Sequence, residues 1–259
     1  MNEEDRITAG KVGSKDRKLE GWFNGASSEL APGVPILPTD TVVDVGCGDG
    51  AFIDFCSRQG AEVFFIDRDA ARLATTEAKI KANQARSYRA IQSDCDPIPL
   101  EDSIGDLVIC TEVLEHVADP RKFLDELIRV AKPGARLLIT VPDSRSEKFV
   151  GATAPPQYFE EPNHIRIFSA EDFSALLRDA GLEIESHQFM GCFWSIYWPL
   201  SWLTCEPSPG LPVDNRHPIT EHWRMLWLEV QAHPQGHKIR DTLNQLLPKV
   251  QSIVARKPL

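Results

Sequence analysis

The feature that most constrains the fold of this chain is a glycine-rich turn between a buried strand and a helix. The apolar segment Thr41–Val45 runs through Gly46, Gly48 and Gly50 into the amphipathic segment Ala51–Arg58. Glycines at alternate positions permit a tight turn and let a ligand approach the main chain closely. The helix that follows offers N–H groups and positive partial charge to an anion. The sequence therefore predicts a ligand site where this strand ends.

Segments typical of strands and helices alternate after this turn. Strands are predicted at 62–66, 88–92, 106–110, 135–141, 182–188 and 250–256, and helices at 70–82, 120–131 and 170–180. Pro133 and Gly134 are expected to end the second of these helices. Strands separated by helices indicate a mostly parallel, doubly wound, Rossmann-like sheet of seven strands with helices on both faces. About sixty residues with five of the six tryptophans precede the last strand and predict a helical insert.

The charge balance and the cysteines exclude several classes of protein. Lys and Arg total 28 against 38 Asp and Glu, a net charge of −10, which disfavours nucleic acid as the partner because binding to it depends on neutralising phosphates. The six cysteines are scattered without a C-x-x-C pair, which favours a reduced, cytoplasmic chain without a zinc site. Residues 1–18 are charged and lack the apolar stretch of a signal peptide.

A dinucleotide site is the natural alternative at the turn, because Gly46, Gly48 and Ala51 fit the G-x-G-x-x-A pattern. Two acids favour a different ligand. Asp44 stands two residues before the first glycine, where a carboxylate would repel a pyrophosphate and attract an ammonium group. Asp94 follows the third strand, where it can accept a hydrogen bond from an amine-bearing ring. The residues therefore indicate a cationic nucleoside.

The segment 44–50 (DVGCGDG) closely resembles motif I of the class I S-adenosylmethionine-dependent methyltransferases. Three later features stand in that family's order: Asp67 after strand two, Asp94 after strand three, and 111–117 (TEVLEHV) after strand four. The resemblance covers roughly 41–188 and the closing strand, and its style is that of the ubiquinone-biosynthesis type of small-molecule O-methyltransferase. It implies S-adenosyl-L-methionine as cofactor, S-adenosyl-L-homocysteine as product, and a small-molecule acceptor, with a hydroxyl oxygen favoured. A non-catalytic cofactor-binding partner or regulatory protein is the alternative.

We predict one domain, 1–259, made of four parts. These are an N-terminal cap region at 1–40, the cofactor-binding core at 41–190, a Trp-rich lid at 191–248 and the closing strand at 249–259. The sequence does not predict an oligomeric state.

On the cofactor side, the resemblance assigns the methionine part to the backbone of Gly46, Cys47 and Gly48, with Asp44 near its ammonium group. Asp67 would accept hydrogen bonds from both ribose hydroxyls, since its two oxygens match a vicinal diol.

The resemblance places the adenine near the third strand and the acceptor beyond the fourth. Asp94 would accept from the adenine amino group, and the Cys95 N–H would donate to the ring. Thr111 and Glu112 would line the floor between cofactor and acceptor. Arg68 departs from the apolar residue that is commoner after the ribose acid, and its planar guanidinium can stack on adenine instead.

Two histidines stand on the expected acceptor side. His164 precedes a helix start at Ser169 and is our candidate for a general base or an acceptor-positioning group, with loop anchoring as the alternative. For His116 we favour a structural role over that of a base. Tyr158 and Arg166 are further pocket candidates. No cluster of Cys, His and carboxylates is apparent in the sequence, so we expect no metal.

The tryptophans recur at helical spacing. Trp194, Trp198 and Trp202 are four residues apart, as are Trp223 and Trp227. Packing within the lid is the favoured interpretation. An aromatic acceptor pocket that includes Trp194 and Trp198 is one alternative. Contact of the uncharged segment 189–205 with a membrane surface is the other, and it is not favoured.

Overall fold

The computed structural model describes residues 8–83, 85–161, 163–204 and 215–259, so part of the predicted cap, part of the predicted lid and Cys205 lie outside the described residues. In chain order the strands are β1 (Glu29–Ala31), β2 (Val34–Pro35), β3 (Thr41–Val45), β4 (Glu62–Asp67), β5 (Tyr88–Gln92), β6 (Gly105–Thr111), β7 (Ala131–Pro142), β8 (Glu183–Met190) and β9 (Val250–Arg256). The helices are α1 (Ala9–Leu19), α2 (Ala51–Arg58), α3 (Ala70–Ile80), α4 (Pro120–Val130), α5 (Ser144–Val150), α6 (Ala170–Asp179), α7 (Cys192–Thr204), α8 (Pro218–Ala232) and α9 (Gly236–Leu246).

The main sheet has seven strands in the order β5-β4-β3-β6-β7-β9-β8. The pairs among β5, β4, β3, β6 and β7 are parallel, whereas β9 runs antiparallel to both β7 and β8. The order in which strands are added reverses at β3, because β4 and β5 lie on one side of it and β6 lies on the other. The carboxyl ends of β3 and β6 therefore flank the crevice where such sheets bind ligands. The predicted fold class is confirmed.

One predicted boundary is wrong. Helix α4 ends at Val130, and β7 begins at Ala131 ahead of the Pro133–Gly134 pair that was expected to separate helix from strand. Ala131 pairs with Gly105 of β6, and the register shifts before the next pair. Gly134 adopts a φ of 77° and its N–H donates to the Lys257 carbonyl. The Pro-Gly pair therefore forms an irregularity within the strand, because pairing with neighbouring chain supplies the missing hydrogen bonds.

Both faces of the sheet are covered by apolar cores. One core joins the sheet to α4 and α6 through residues such as Leu124, Leu127 and Phe173, all fully buried. The other joins it to α2, α3 and the N-terminal segment through residues such as Ile53 and Trp22. Strand β3 is buried along its whole length, so the turn that follows it is held by a rigid support.

The insert between β8 and β9 consists of α7, α8 and α9, as predicted. Helix α7 runs through Pro199 without ending there. A third core binds these helices to α1 through residues that include Val12, Phe193 and Trp227. Among the described residues, no helix combines the length and the apolar character needed to cross a bilayer.

Candidate functional site

The glycine turn after β3, called the elbow below, uses left-handed backbone at each of its glycines. The φ angles are 78° at Gly46, 54° at Gly48 and 75° at Gly50. A Cβ atom on Gly46 would collide with Val113, and one on Gly50 with Thr76. At Gly48 the nearest protein atom would be 3.9 Å away. Gly46 and Gly50 are therefore required by the packing of the protein, whereas Gly48 leaves space open toward a ligand.

The amides of the elbow are already engaged. Gly46 and Cys47 donate to the carbonyl oxygen of Ile66 at 2.8 and 3.0 Å. Gly48 donates to Oδ2 of Asp67 at 2.9 Å, and Oδ1 of Asp67 accepts from the Asp69 N–H at 2.9 Å. The amides of Gly46, Cys47 and Gly48 can therefore bind a ligand only by leaving their present acceptors. Each Asp67 oxygen keeps a lone pair for a further hydrogen bond.

Asp44 is fully buried beneath the elbow, and neither of its carboxylate oxygens has a hydrogen-bond partner. Burial is the main cause, with the charges of Asp67 and Asp49 second, of a rise in the pKa of Asp44 to about 8. An unpaired buried carboxyl group is costly unless something satisfies it. The position is therefore suited to a cationic group that arrives with a ligand.

The loop after β5 is more open. Asp94 is exposed, and its Oδ1 accepts from the Asp96 N–H at 3.4 Å. Cys95 is buried with a φ of 63°, and its N–H donates to the Ser93 hydroxyl at 3.0 Å. Arg68 is exposed nearby. The N–H of Cys95 can therefore reach an adenine ring only by leaving Ser93, a constraint that the sequence did not indicate.

The chain leaves β6 through a strained position. Thr111 ends the strand, and Glu112 adopts a φ of 55°, which is rare outside glycine. The Glu112 N–H donates to the Thr140 carbonyl at 3.0 Å, and the Thr140 hydroxyl donates to Oε1 of Glu112 at 3.0 Å. Such strain is typical of functional sites. The predicted floor residues thus lie at the carboxyl end of the sheet, as expected.

Beyond this floor, one side-chain atom each from Glu115, His116 and His164 lies within 4.8 Å of the others. The sequence did not indicate this cluster, because His164 is distant in the chain from Glu115 and His116. Nδ1 of His116 is 2.8 Å from the Asn163 carbonyl oxygen, and Nε2 is 3.6 Å from Oε1 of Glu115. Burial, followed by repulsion from Glu112, raises the pKa of Glu115 well above its ordinary value. A raised pKa disfavours the deprotonated form of Glu115, which is the form that a divalent cation binds.

A second buried group, which sequence reasoning missed, surrounds His164. Oε1 of Glu147 accepts from Lys249 Nζ at 2.7 Å and from the Tyr158 hydroxyl at 3.1 Å. Oε2 of Glu147 lies 2.9 Å from Nδ1 of His164, and Lys249 Nζ also donates to the Tyr158 oxygen at 2.9 Å. We call these four residues the Glu147 network. Since Glu147 and Lys249 are 102 residues apart, no local pattern could have paired them.

The network is buried, and its charges compensate one another. Glu147 is 1% exposed, and Lys249 is 8% exposed. Burial alone would raise the pKa of Glu147, but the hydrogen bond from His164 and the charge of Lys249 outweigh it, and this pKa falls to about 2. Burial also raises the pKa of Tyr158 above its ordinary value, so the phenol is neutral. The network therefore holds one ammonium and one carboxylate against His164.

The tryptophans of α7 form a stacked row that ends at this network. Ring centroids of Trp194 and Trp198 are 5.7 Å apart, and those of Trp198 and Trp202 are 6.1 Å apart. Trp202 then contacts Tyr158 at 5.2 Å. Trp194, at the far end, packs against Gly13 of α1. Trp202, which we did not predict as a pocket residue, is thus the tryptophan of this row that reaches the network, whereas Trp194 serves packing.

Arg166 also lies beside this region. Its Nη2 donates to the Ala118 carbonyl at 3.0 Å, just beyond the turn that carries His116. The predicted pocket residues His116, Tyr158 and Arg166 are therefore brought together with His164, although Arg166 serves the loop backbone.

Comparisons with known proteins agree with this geometry. A family model described as a methyltransferase domain matches residues 20–187. A ubiquinone biosynthesis O-methyltransferase of Xylella fastidiosa (strain 9a5c) is 33% identical over 194 residues, which cover 66% of this chain and 75% of that protein.

Solved structures share the fold at lower identity. Geranyl diphosphate C-methyltransferase from Streptomyces coelicolor A3(2), solved with Mg²⁺, geranyl diphosphate and S-adenosyl-L-homocysteine, is 16% identical with a TM-score of 0.56, covering 86% of this chain and 72% of that chain. The [4+2]-cyclase SpnF is 18% identical with a TM-score of 0.55, covering 85% and 75%. Because the names of these neighbours state different reactions, the fold by itself does not select the acceptor.

Proposed function

Because this chain belongs to the class I S-adenosylmethionine-dependent methyltransferases, we propose that it methylates a hydroxyl oxygen of a small molecule with His164 as the general base. The observation that carries the proposal is the bond between Nδ1 of His164 and the buried Glu147 carboxylate. The name of the Xylella relative supports an oxygen acceptor.

The elbow fits the cofactor of this family. S-adenosyl-L-methionine supplies a methyl group already activated by its sulfonium. Asp44 provides an unpaired carboxyl group for the cofactor's ammonium. Asp67 retains acceptor capacity for the ribose hydroxyls, and the open side of Gly48 leaves room for the methionine part. Desolvation of Asp44 would then be offset by a charge that the cofactor brings.

On the acceptor side, a hydroxyl group must lose its proton as it attacks. His164 has its Nδ1 engaged by Glu147, which leaves Nε2 to accept that proton. The side chain of His164 is 15% exposed, so little water competes for this nitrogen. Holding the acceptor in line with the methyl group contributes further acceleration, since alignment removes an entropic cost.

The aromatic rings beside His164 support a flat or apolar acceptor. Tyr158 lies 4.4 Å from His164 and 5.2 Å from Trp202, measured between ring centroids. We assign the helices within 191–248 as a lid over this pocket and the segment 1–40 as its cap, since α1 packs against α7 and α8. A closed lid excludes water from the reacting groups.

The test uses cofactor labelled in its methyl group, with phenols and the matched anilines as acceptors. We expect label on the phenol oxygen, and release of S-adenosyl-L-homocysteine in equal amount. His164→Ala is expected to lower kcat about 10²-fold while cofactor affinity is retained. The exposed His237 provides the control, His237→Ala, with kcat unchanged. Transfer to anilines alone, or a normal kcat in His164→Ala, would contradict the proposal.

A further inference from the structure

We infer that Glu147 is a positioning residue that fixes His164 in the tautomer with its proton on Nδ1. Nε2 is then always the nitrogen that faces the acceptor as a base. This inference rests on the proposed function, because it specifies how the base of that reaction is prepared.

Three side chains face the two carboxylate oxygens of Glu147. Its Oε1 receives two donors, the ammonium of Lys249 and the hydroxyl of Tyr158. Its Oε2 faces Nδ1 of His164 at 2.9 Å. An ionised carboxylate only accepts hydrogen bonds, so Nδ1 must be the donor and must carry the proton. A neutral imidazole with its proton on Nδ1 has an unprotonated Nε2.

Glu147 stays ionised because the ammonium group of Lys249 compensates its charge. A carboxylate that is 1% exposed is costly unless a positive group compensates it. Lys249 lies against it and is itself buried, and the chain brings that residue from directly before β9. Lys249 and Tyr158 thus act through Glu147 and do not touch the imidazole nitrogens, although the ring of Tyr158 packs on His164.

The neighbours of His164 also fix the orientation of its imidazole ring. A half-turn of the ring about its Cβ–Cγ bond would put Cδ2 in the place of Nδ1 and Cε1 in the place of Nε2. The ring of His164 is bracketed by Tyr158 at 4.4 Å and by the edge of His116 at 5.3 Å between centroids. Rotation would therefore meet both neighbours and would break the bond to Glu147. Tautomer and orientation are fixed by the same buried surroundings.

Stabilisation of the fold alone does not explain the Glu147–Lys249 pair. A buried ion pair often contributes little net stability compared with apolar residues of the same volume. Here both members of the pair also bond to Tyr158, and together they connect α5, the loop with Tyr158 and the residue before β9. The remaining acceptor oxygen faces a histidine at the carboxyl end of the sheet. An orienting role accounts for that placement, since orientation by a carboxylate is how histidine bases are held in the required tautomer.

The first measurement needs no acceptor. Long-range ¹H–¹⁵N correlation spectra of protein labelled with ¹⁵N-histidine report the tautomer of each ring, and His164→Asn identifies the signals of His164. We expect a protonated Nδ1 and an unprotonated Nε2 in the wild type. In Glu147→Gln, whose amide can donate as well as accept, we expect a mixture of tautomers. A proton on Nε2 in the wild type, or an unchanged tautomer in Glu147→Gln, would overturn the inference.

The second measurement is a cycle of variants assayed on a phenol that the wild type methylates. We expect Glu147→Gln to lower kcat about 10-fold or more with the KM for cofactor unchanged. In the His164→Ala background the same substitution should cost nothing further, because Glu147 acts through His164. An equal loss in both backgrounds would assign Glu147 a separate structural role and overturn the inference.

Two controls keep these results interpretable. Glu185→Gln removes a carboxylate of β8 that accepts hydrogen bonds from Arg136 and Arg256, outside the Glu147 network. This variant should leave kcat and the tautomer of His164 unchanged. Tyr158→Phe keeps the carboxylate and Lys249, so the Nδ1 tautomer should persist even if Glu147→Gln does not fold; its loss there would count against the inference. If His164→Ala retains full kcat while the tautomer depends on Glu147, the base assignment fails and the positioning stands.

Discussion

Two buried carboxylates, Asp44 under the elbow and Glu147 on the acceptor side, meet opposite surroundings. Asp44 has no hydrogen-bond partner, whereas Glu147 has three. The pKa of Asp44 rises to about 8 because burial dominates, while the pKa of Glu147 falls to about 2 because the His164 hydrogen bond and the Lys249 charge outweigh burial. In the proposed function, the elbow is the cofactor half, which its ligand completes, and the Glu147 network is the acceptor half, which the protein itself completes.

The largest expected effect comes from removing the charge that completes the acceptor half. Lys249→Met leaves Glu147 buried without its counter-ion and should lower the free energy of unfolding by about 3–5 kcal/mol. Lys132→Met is the matched control: Lys132 pairs with Asp106 at 2.7 Å but is 40% exposed, so its loss should cost below about 1 kcal/mol. Denaturant titration measures both. Equal small losses would show that the two halves do not differ as described.

The next effect concerns the ligand that completes the cofactor half. Asp67→Ala should weaken binding of S-adenosyl-L-methionine by roughly 1.5–3 kcal/mol, the value expected for lost hydrogen bonds to a charged group. Calorimetry measures the affinity, and Asp125→Ala, which removes an exposed carboxylate paired with Arg121, should leave it unaltered. An unchanged affinity in Asp67→Ala would refute the ribose role.

Asp44 gives a prediction with a definite sign in pH. Its folded-state pKa of about 8 lies above the ordinary 3.8, so its contribution to stability is complete below about pH 4 and is lost as the pH rises through 8. Without cofactor, Asp44→Asn should therefore be more stable than the wild type at pH 9, by about 1–3 kcal/mol, and equal to it near pH 4.

Thermal or denaturant unfolding at the two pH values checks this difference. Asp49→Asn, on the exposed part of the same elbow, should show none. The reverse sign in Asp44→Asn would mean that an internal cation already pairs with Asp44.

The smallest expected effect concerns Glu20, a carboxyl group whose pKa lies between those of Glu147 and Asp44. Glu20, next to α1, accepts from Asn244 at 2.6 Å but has one oxygen without a partner. Burial and then repulsion from Asp16 raise its pKa to about 7, so its stabilising contribution is lost between pH 4.5 and 7. Glu20→Gln should stabilise the protein by about 1 kcal/mol at pH 8 and not at pH 4. A pH-independent difference in unfolding free energy would remove Glu20 from this series.

The two halves also differ in how far the sequence could predict them. The elbow is a contiguous segment, and left-handed glycines between a buried strand and a helix leave few alternatives, so the fold and the cofactor follow from local pattern. The Glu147 network joins side chains from α5, the connection between α5 and α6, and the residue before β9. None of these carries a periodic signal, because pairing across the chain depends on tertiary packing.

The tryptophans of α7 and the Pro133–Gly134 pair were predictable from the sequence only in part. The spacing of four predicts that Trp194, Trp198 and Trp202 stack along one helix face, and they do. Which end of the row reaches Tyr158 depends on how α7 packs against α1 and α5, and the spacing contains no information on that. Likewise, Pro133 and Gly134 were expected to end a helix, but pairing with β6 and the segment after β9 places them within β7.

The position of β9 has a consequence for biosynthesis. This strand is made last of the seven, yet it lies between β7 and β8. On the ribosome, β3 to β7 can pair as they emerge, whereas β8 has no neighbour until Val250–Arg256 has been translated. Lys249 arrives with that same segment. A nascent chain can therefore assemble β3 to β7 and the elbow first, and His164 acquires the Glu147–Lys249 pair only once Lys249 has been translated.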